Sequence, residues 1–512
     1  MTQSAPLLSG EKPELRHGDV FVITLPGHHD QADDGPSPSR WAAAWRAVMV
    51  LAALALAGHC YRLHYYSPEV AARLWGEGWR WSAEGASSSS FLLPLYTKKA
   101  GHGAGVKAST AALPERFVLQ EFVLLPPLIC RRYYTSINIG NPARPYFLDV
   151  DTGTDLTWIQ CDAPCTNCTK GPHPLYKPSK GNMVHPKDSV CQELQGNQNY
   201  CDTCKQCEYE IAYADRSSSA GVLARDSMQL ITADAEREIV PFVFGCAYDQ
   251  QGKLLDSTTG TDGVLGLSNG AISLPTQLAN QGIISNVFGH CIPADPTSSG
   301  YMFLGDEYIP RWGMTWVPIR NGPENVYSTE VQKVNYGGQE LNVRRQAGKL
   351  TQVIFDSGSS YTYFPREIYR NLIASLEDVS PGFVHDDSDQ TLPFCMKPNF
   401  PVRSVDDVKE LFKPLELQFR KRWFVIPRTF TISPESYLII SEKGNVCLGV
   451  LDGTEIGHRS TIIIGDASLR GKLVVYDNDE NQMGWVQSDC TRPQKESRVH
   501  SFLSRALHSQ LL

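Results

Sequence analysis

Tyr146-Phe147-Leu148-Asp149-Val150-Asp151-Thr152-Gly153-Thr154 is echoed later in the chain by Val353-Ile354-Phe355-Asp356-Ser357-Gly358-Ser359. Each stretch reads as an apolar strand that ends in a turn built from aspartate, a hydroxyl residue, glycine and a second hydroxyl residue. Glycine lets the backbone double back where a side chain would obstruct it, and the flanking hydroxyls can hold the carboxylate in one orientation. Either tripeptide alone is an ordinary turn sequence. The repeat is specific: it predicts two lobes that meet at one site, each delivering one carboxylate.

A further matching element follows each copy, Val264-Leu265-Gly266 after the first and Ile463-Ile464-Gly465 after the second. With these elements in place, the chain from about Tyr133 to Cys490 resembles the pepsin-like aspartic endopeptidases, in which an apolar-apolar-Gly strand threads beside each catalytic loop. It is most similar to the plant nepenthesin and nucellin-like branch. A cysteine-dense insertion follows the first loop, Trp158 lies seven residues after Asp151, and two phrases carry the subgroup: Leu156-Thr157-Trp158-Ile159-Gln160-Cys161-Asp162-Ala163-Pro164-Cys165 and Gly444-Asn445-Val446-Cys447-Leu448-Gly449. The segment Pro126-Pro127-Leu128-Ile129-Cys130-Arg131-Arg132 departs from the Gly- and Tyr-rich opening strand of that branch.

The resemblance implies a mostly β, bilobal acid-protease fold with Asp151 and Asp356 as the catalytic pair. Thr154 and Ser359 occupy the positions whose hydroxyls bond the outer carboxylate oxygens, and Thr152 and Ser357 those that lock the loops together, with Gly153 and Gly358 between them. It also implies a flap hairpin over 207–221, in which Tyr213 hydrogen-bonds Trp158; Ala214 stands where the family often has glycine. Ordinary turn capping and core packing are the alternative roles of these hydroxyls and aromatics, and Tyr209 is read as core. No cofactor and no metal are implied, and the expected partners are protein or peptide substrates met by a monomer.

Two aspartates within hydrogen-bonding distance cannot both ionise easily, because the second negative charge meets the first at short range in a poorly solvated cleft. They share one proton. The ionised member then serves as general base on a bound water, and the protonated member stabilises the oxyanion developing on the scissile carbonyl. A different class of function uses the same scaffold without the pair, as an inhibitor or binding module. Retention of both aspartates with their glycines and hydroxyls argues for the enzyme.

A chain of 512 residues with 42% apolar content can bury a large core, and a formal charge of -8 without a basic stripe argues against nucleic acid as a partner. Of fourteen cysteines, seven crowd between Cys161 and Cys207, and five follow at Cys246, Cys291, Cys395, Cys447 and Cys490. If these twelve are all oxidised, seven cannot pair among themselves, so at least one bridge must leave the insertion. Zinc is the rival reading, since Cys165-x-x-Cys168 and Cys201-x-x-Cys204-x-x-Cys207 have ligand-like spacing. By resemblance, Cys395 pairs with Cys447.

Residues 1–40 read as a polar tail on the cytosolic side, and 41–61 contain the apolar run Ala47 to Gly58, behind Arg46. We read it as a signal anchor, with a signal peptide cleaved after Ala55-x-Ala57 and a buried helix as alternatives. Residues 62–131, with Ser87 to Ser90, Lys98-Lys99 and Gly101-His102-Gly103-Ala104-Gly105, read as a flexible stalk or a propeptide. The lobes are assigned to 132–325 and 326–495, followed by a tail at 496–512. Disulfides place the lobes in the lumen of the secretory pathway or outside the cell, where the sequon Asn167-Cys168-Thr169 would carry glycan. Val240 to Phe244 and Lys472 to Tyr476 are predicted strands, and one helix is predicted from Pro365 to about Glu377.

Overall fold

Short runs of alternating or continuous apolar residues between Gly, Asn and Asp turns dictate strands rather than helices, and the protein is mostly β. The computed structural model describes residues 89–97 and most of 133–495. The tail 1–40, the anchor 41–61, the remainder of 62–131 and the tail 496–512 lie outside the described residues.

Among the described residues, one thirteen-stranded sheet runs from Thr315–Pro318 through Gln482–Gln487, Lys472–Asp477, Val287–Ile292 and Gly300–Leu304 to Phe91–Thr97, then on through Tyr133–Ile139 into the first lobe. Its first members come from both halves of the chain, so the sheet joins the lobes. An eight-stranded and a four-stranded sheet belong to the second half.

The repeated motif produces the same local topology twice. Arg144–Asp151 pairs in parallel with Gly263–Gly266, bringing Asp151 opposite Gly266. Thr351–Phe355 pairs in parallel with Thr461–Ile464, bringing Phe355 opposite Ile464. The chain leaving each aspartate returns as a short strand, Trp158–Gln160 or Thr362–Phe364, antiparallel to that same partner. This return explains the glycines. A β-carbon on Gly266 would lie 2.6 Å from the Asp155 carbonyl, and one on Gly465 would lie 2.6 Å from that of Ser359. Backbone crosses over both positions at a distance only hydrogen can occupy. Leu148, Leu265, Phe355 and Ile464 are fully buried beneath the two loops.

The strands anticipated at Val240 to Phe244 and Lys472 to Tyr476 lie within Arg237–Gln251 and Lys472–Asp477. The predicted helix is Arg366–Val379, with Ile368, Leu372 and Leu376 buried one turn apart.

The stalk reading needs correction at its centre. Phe91–Thr97 is a strand of the large sheet, antiparallel to Gly300–Leu304 on one side and joined to Tyr133–Ile139 on the other, with Thr97 opposite Tyr133. Phe91, Leu93 and Leu95 are buried on one face. Ser89 N donates to Ile283 O at 2.8 Å, and Ser89 Oγ donates to Glu238 at 2.8 Å. The period-two apolar signal is present, but a serine run precedes it and Lys98-Lys99 with a glycine-rich run follow it, so composition outweighs periodicity.

Candidate active site

Asp151 and Asp356 stand at the ends of two strands that each run into a Gly-containing turn, and the turns face each other. The β-carbon position of Gly153 lies 3.0 Å from Asp356 Oδ1 and 3.2 Å from Asp151 Oδ1, so both carboxylates converge on one point. Each carboxylate is held by its own loop in the same way. Gly153 N donates to Asp151 Oδ1 at 2.8 Å and Thr154 Oγ1 donates to Oδ2 at 2.5 Å. Gly358 N donates to Asp356 Oδ1 at 2.9 Å and Ser359 Oγ donates to Oδ2 at 2.6 Å. A backbone N–H on each Oδ1 and a hydroxyl on each Oδ2 fix both carboxylates in one orientation.

The loops are crossed by a reciprocal set of bonds. Thr152 N donates to Ser357 Oγ at 3.1 Å, and Ser357 N donates to Thr152 Oγ1 at 3.0 Å. Thr152 Oγ1 donates in turn to Phe355 O at 3.0 Å, and Ser357 Oγ donates to Val150 O at 2.9 Å. Both side chains are buried, so every donor and acceptor in this lock is satisfied without water.

Above the first loop, Glu208–Ala212 and Ser218–Ile231 form a hairpin. Trp158, buried at the base, donates from Nε1 to Tyr213 Oη at 2.8 Å. The tip closes through Tyr213 N to Ser217 O at 2.8 Å and Arg216 N to Tyr213 O at 3.0 Å, with Ser217 N donating to Asp215 Oδ1 at 3.0 Å. Its left-handed residue is Arg216, with φ of 67°. Pairing resumes at Ser218, opposite Ala212. Tyr209 is buried in the core, as read from the sequence.

Disulfides join Cys161 to Cys246, Cys165 to Cys168, Cys191 to Cys207, Cys291 to Cys490 and Cys395 to Cys447. The bridge from Cys161 is the one expected to leave the insertion. The Cys165 and Cys168 thiols suggested as zinc ligands are joined to each other, and Cys207 is joined to Cys191; Cys201 and Cys204 lie outside the described residues. Asp389 approaches Cys395 and Cys447, but their sulfurs form a disulfide and offer no thiolate. Asn167 is exposed, and its carbonyl accepts from Gln250 N at 3.0 Å.

Three residues at this site carry no sequence signal. Asp155, four residues past Asp151, accepts from Ser268 Oγ, and at 2.9 Å from Asn325 Nδ2 at the junction between the lobes. His290 and Tyr476 are buried on paired strands of the sheet that joins the lobes, their side chains 3.2 Å apart. Each is an ordinary polar residue in a buried strand until the fold assembles its partners.

Residues 133–306 match the domain family described as xylanase inhibitor N-terminal, and 326–487 match that described as xylanase inhibitor C-terminal. The chain is 38% identical over 386 residues to an aspartic proteinase of Oryza sativa subsp. japonica, spanning 72% of this chain and 91% of that protein. It is 30% identical over 376 residues to "Aspartic proteinase 39" of Arabidopsis thaliana, spanning 70% and 74%. Among solved structures it is similar to basic 7S globulin from soybean, with a TM-score of 0.58 and 16% identity over 80% of this chain and 100% of that one. Conglutin gamma from lupine seeds gives 0.57 and 17% over 78% and 95%. At those identities the likeness is one of fold.

Proposed function

This chain belongs to the pepsin-like aspartic proteinase family, and on that premise we propose that it is an active endopeptidase that cleaves protein substrates at acidic pH. The observation that carries the reading is the convergence of the Asp151 and Asp356 carboxylates on one point, each with its outer oxygen occupied by a hydroxyl donor. The pair shares one proton; water between them loses a proton to the ionised member while the protonated member stabilises the oxyanion. The two carboxylates act as a unit, so the roles belong to the pair. In this reading Tyr213 and Trp158 grip the flap over an extended substrate and shield the reaction from bulk water.

Purified protein should cleave a generic protein substrate at acid pH, with inhibition by a statine-type compound, and Asp151→Asn or Asp356→Asn should each abolish cleavage while leaving the fold intact. Wild-type activity in Asp356→Asn, or activity undiminished at alkaline pH, would refute the pair as the catalytic group. A binding module without turnover is the second reading, favoured by the description of the matching domain family and by the globulins that share the fold. Specific retention of a protein ligand by an inert wild type would select it.

The same proposal places the lobes on the luminal or extracellular side of a membrane, tethered as a monomer through residues 41–61 with 1–40 cytosolic. The disulfides support an oxidising compartment. Glycan on the exposed Asn167 and resistance to alkaline extraction would agree with it; full-length protein in the soluble fraction after that wash would not.

A further inference from the structure

Besides the lock between Thr152 and Ser357, a second set of hydrogen bonds joins the two aspartate loops, and it runs through the stretch where the chain passes from one lobe to the other. Asn325 Nδ2 donates to Asp155 Oδ2 at 2.9 Å, and Asn325 O accepts from Asn269 N at 2.9 Å. Two residues on, Tyr327 O accepts from Phe355 N at 3.0 Å. Asp155 adjoins Thr154, whose hydroxyl holds Asp151, and Phe355 adjoins Asp356. The stretch from Asn325 to Tyr327 is thus bonded to a side chain of one loop and to the backbone that leads into the other.

The internal repeat shows that a carboxylate at 155 is not needed to build the turn. The fourth residue after Asp356 is Ser360, and the second loop still holds its aspartate with the same two donors. The other partner of Asp155 is likewise confined to the first copy: Ser268, two residues past Gly266, donates to Asp155 Oδ1, whereas Ala467 stands two residues past Gly465. Ser268 is fully buried, and a β-carbon on Gly270 would lie 2.5 Å from Asp155 Cγ. The carboxylate is therefore seated against backbone, with one oxygen turned to Ser268 and the other to Asn325. The connector matches it. Asn325 has φ of 50°, a left-handed conformation in which asparagine is enriched, and its amide presents NH2 to a group that only accepts.

We propose that Asp155 is a positioning residue which, through Asn325, braces the Asp151 loop against the connector between the lobes and so holds it in place relative to the strand that delivers Asp356. The inference rests on the endopeptidase reading for its consequence, though not for its geometry. The lock at Thr152 and Ser357 fixes the loops where they touch. The Asp155–Asn325 bond adds an attachment three residues further along the first loop, which limits rocking of that loop about the lock. Rocking matters because a reaction shared by two carboxylates depends on their mutual placement.

The test has two arms. In NMR of asparagine-labelled protein, the Asn325 side-chain amide, identified by its loss in Asn325→Gly, should shift in Asp155→Ser; an unmoved resonance would overturn the brace whether or not the protein cleaves anything. In cleavage assays, Asp155→Ser, which copies Ser360 of the other loop, should lower kcat about tenfold with KM and Tm little changed. Asn325→Gly, which keeps the left-handed backbone, should lose as much, and the double variant no more than either single one. Asn325→Asp sets carboxylate against carboxylate and should also lose kcat. Adding Asp155→Asn to it should restore most of the loss, because the exchanged amide donates back to the exchanged carboxylate. Wild-type kcat in Asp155→Ser, additive losses in the double variant, or no rescue by the exchanged pair would overturn the proposal. If the wild type itself is inert, the endopeptidase reading fails and the amide resonance alone decides the brace.

Discussion

Gly358 packs against the aspartate of the opposite loop, so that a β-carbon on it would stand 2.5 Å from Asp151 Cγ, while one on Gly153 would stand 3.0 Å from Asp356 Oδ1. Each glycine is thus a wall of the other lobe's carboxylate site. Gly358→Ala is expected to displace Asp151 and lower kcat/KM about a hundredfold, with an overpacking cost of about 1–3 kcal/mol. Gly153→Ala should be the milder variant, since its neighbours need give only a few tenths of an ångström. Peptide-cleavage kinetics and denaturant melts on the two variants check both the size and the order.

Thr152→Val keeps the shape of the side chain and removes the hydroxyl that accepts from Ser357 N and donates to Phe355 O. Two buried backbone groups then lack partners, for a loss of about 1–3 kcal/mol each at most. Thr152→Ser should recover most of it. Equal stability of the Val and wild-type proteins in urea titration would show that the lock contributes nothing to folding.

Disulfides and metal make opposite predictions for reductant and chelator. Reductant should lower the melting temperature, and chelator should leave it unchanged. Cys291 and Cys490 are 199 residues apart, against three for Cys165 and Cys168. Removing the first bridge as a double alanine variant should therefore cost more, about 2–5 kcal/mol, because it frees the longer loop in the unfolded chain. Zinc at one equivalent in the purified protein, lost together with stability on chelation, would contradict this.

His290 sets an acid limit on stability. Burial lowers its titration from 6.5 to about 4, so the folded state favours the neutral ring. The unfolded chain takes up a proton below about pH 6.5 that the native ring refuses until about pH 4, and stability contributed by the neutral ring is lost as pH falls through that window. The loss is on the order of 3 kcal/mol. Melts of wild type and His290→Gln between pH 7 and 4 should show the wild type losing more on acidification than the variant. Parallel curves would refute the assignment.

The legible part of this protein is the local part. An aspartate, a glycine two residues on and a hydroxyl three residues on interact within one turn, so the sequence alone specifies both carboxylate loops. The second copy implies the two-lobed arrangement. The helix Arg366–Val379 is readable for the same reason, since its buried face repeats every four residues. The apolar-apolar-Gly strands are readable because the repeat displays them twice.

What the chain could not disclose depends on which strands become neighbours. Phe91–Thr97 reads as linker because its partners, Gly300–Leu304 and Tyr133–Ile139, are distant in sequence, and only pairing with them gives its alternation a buried side. The choice of Cys246 as partner for Cys161 required strand register, which sets Ile159 opposite Cys246 in the parallel pair. His290 and Tyr476 lie 186 residues apart, and neither has a local partner that would mark it. A hydrogen bond between such residues exists only when the hydrophobic core brings two strands together at one register, so tertiary structure decided that contact, while the sequence determined the two aspartate loops.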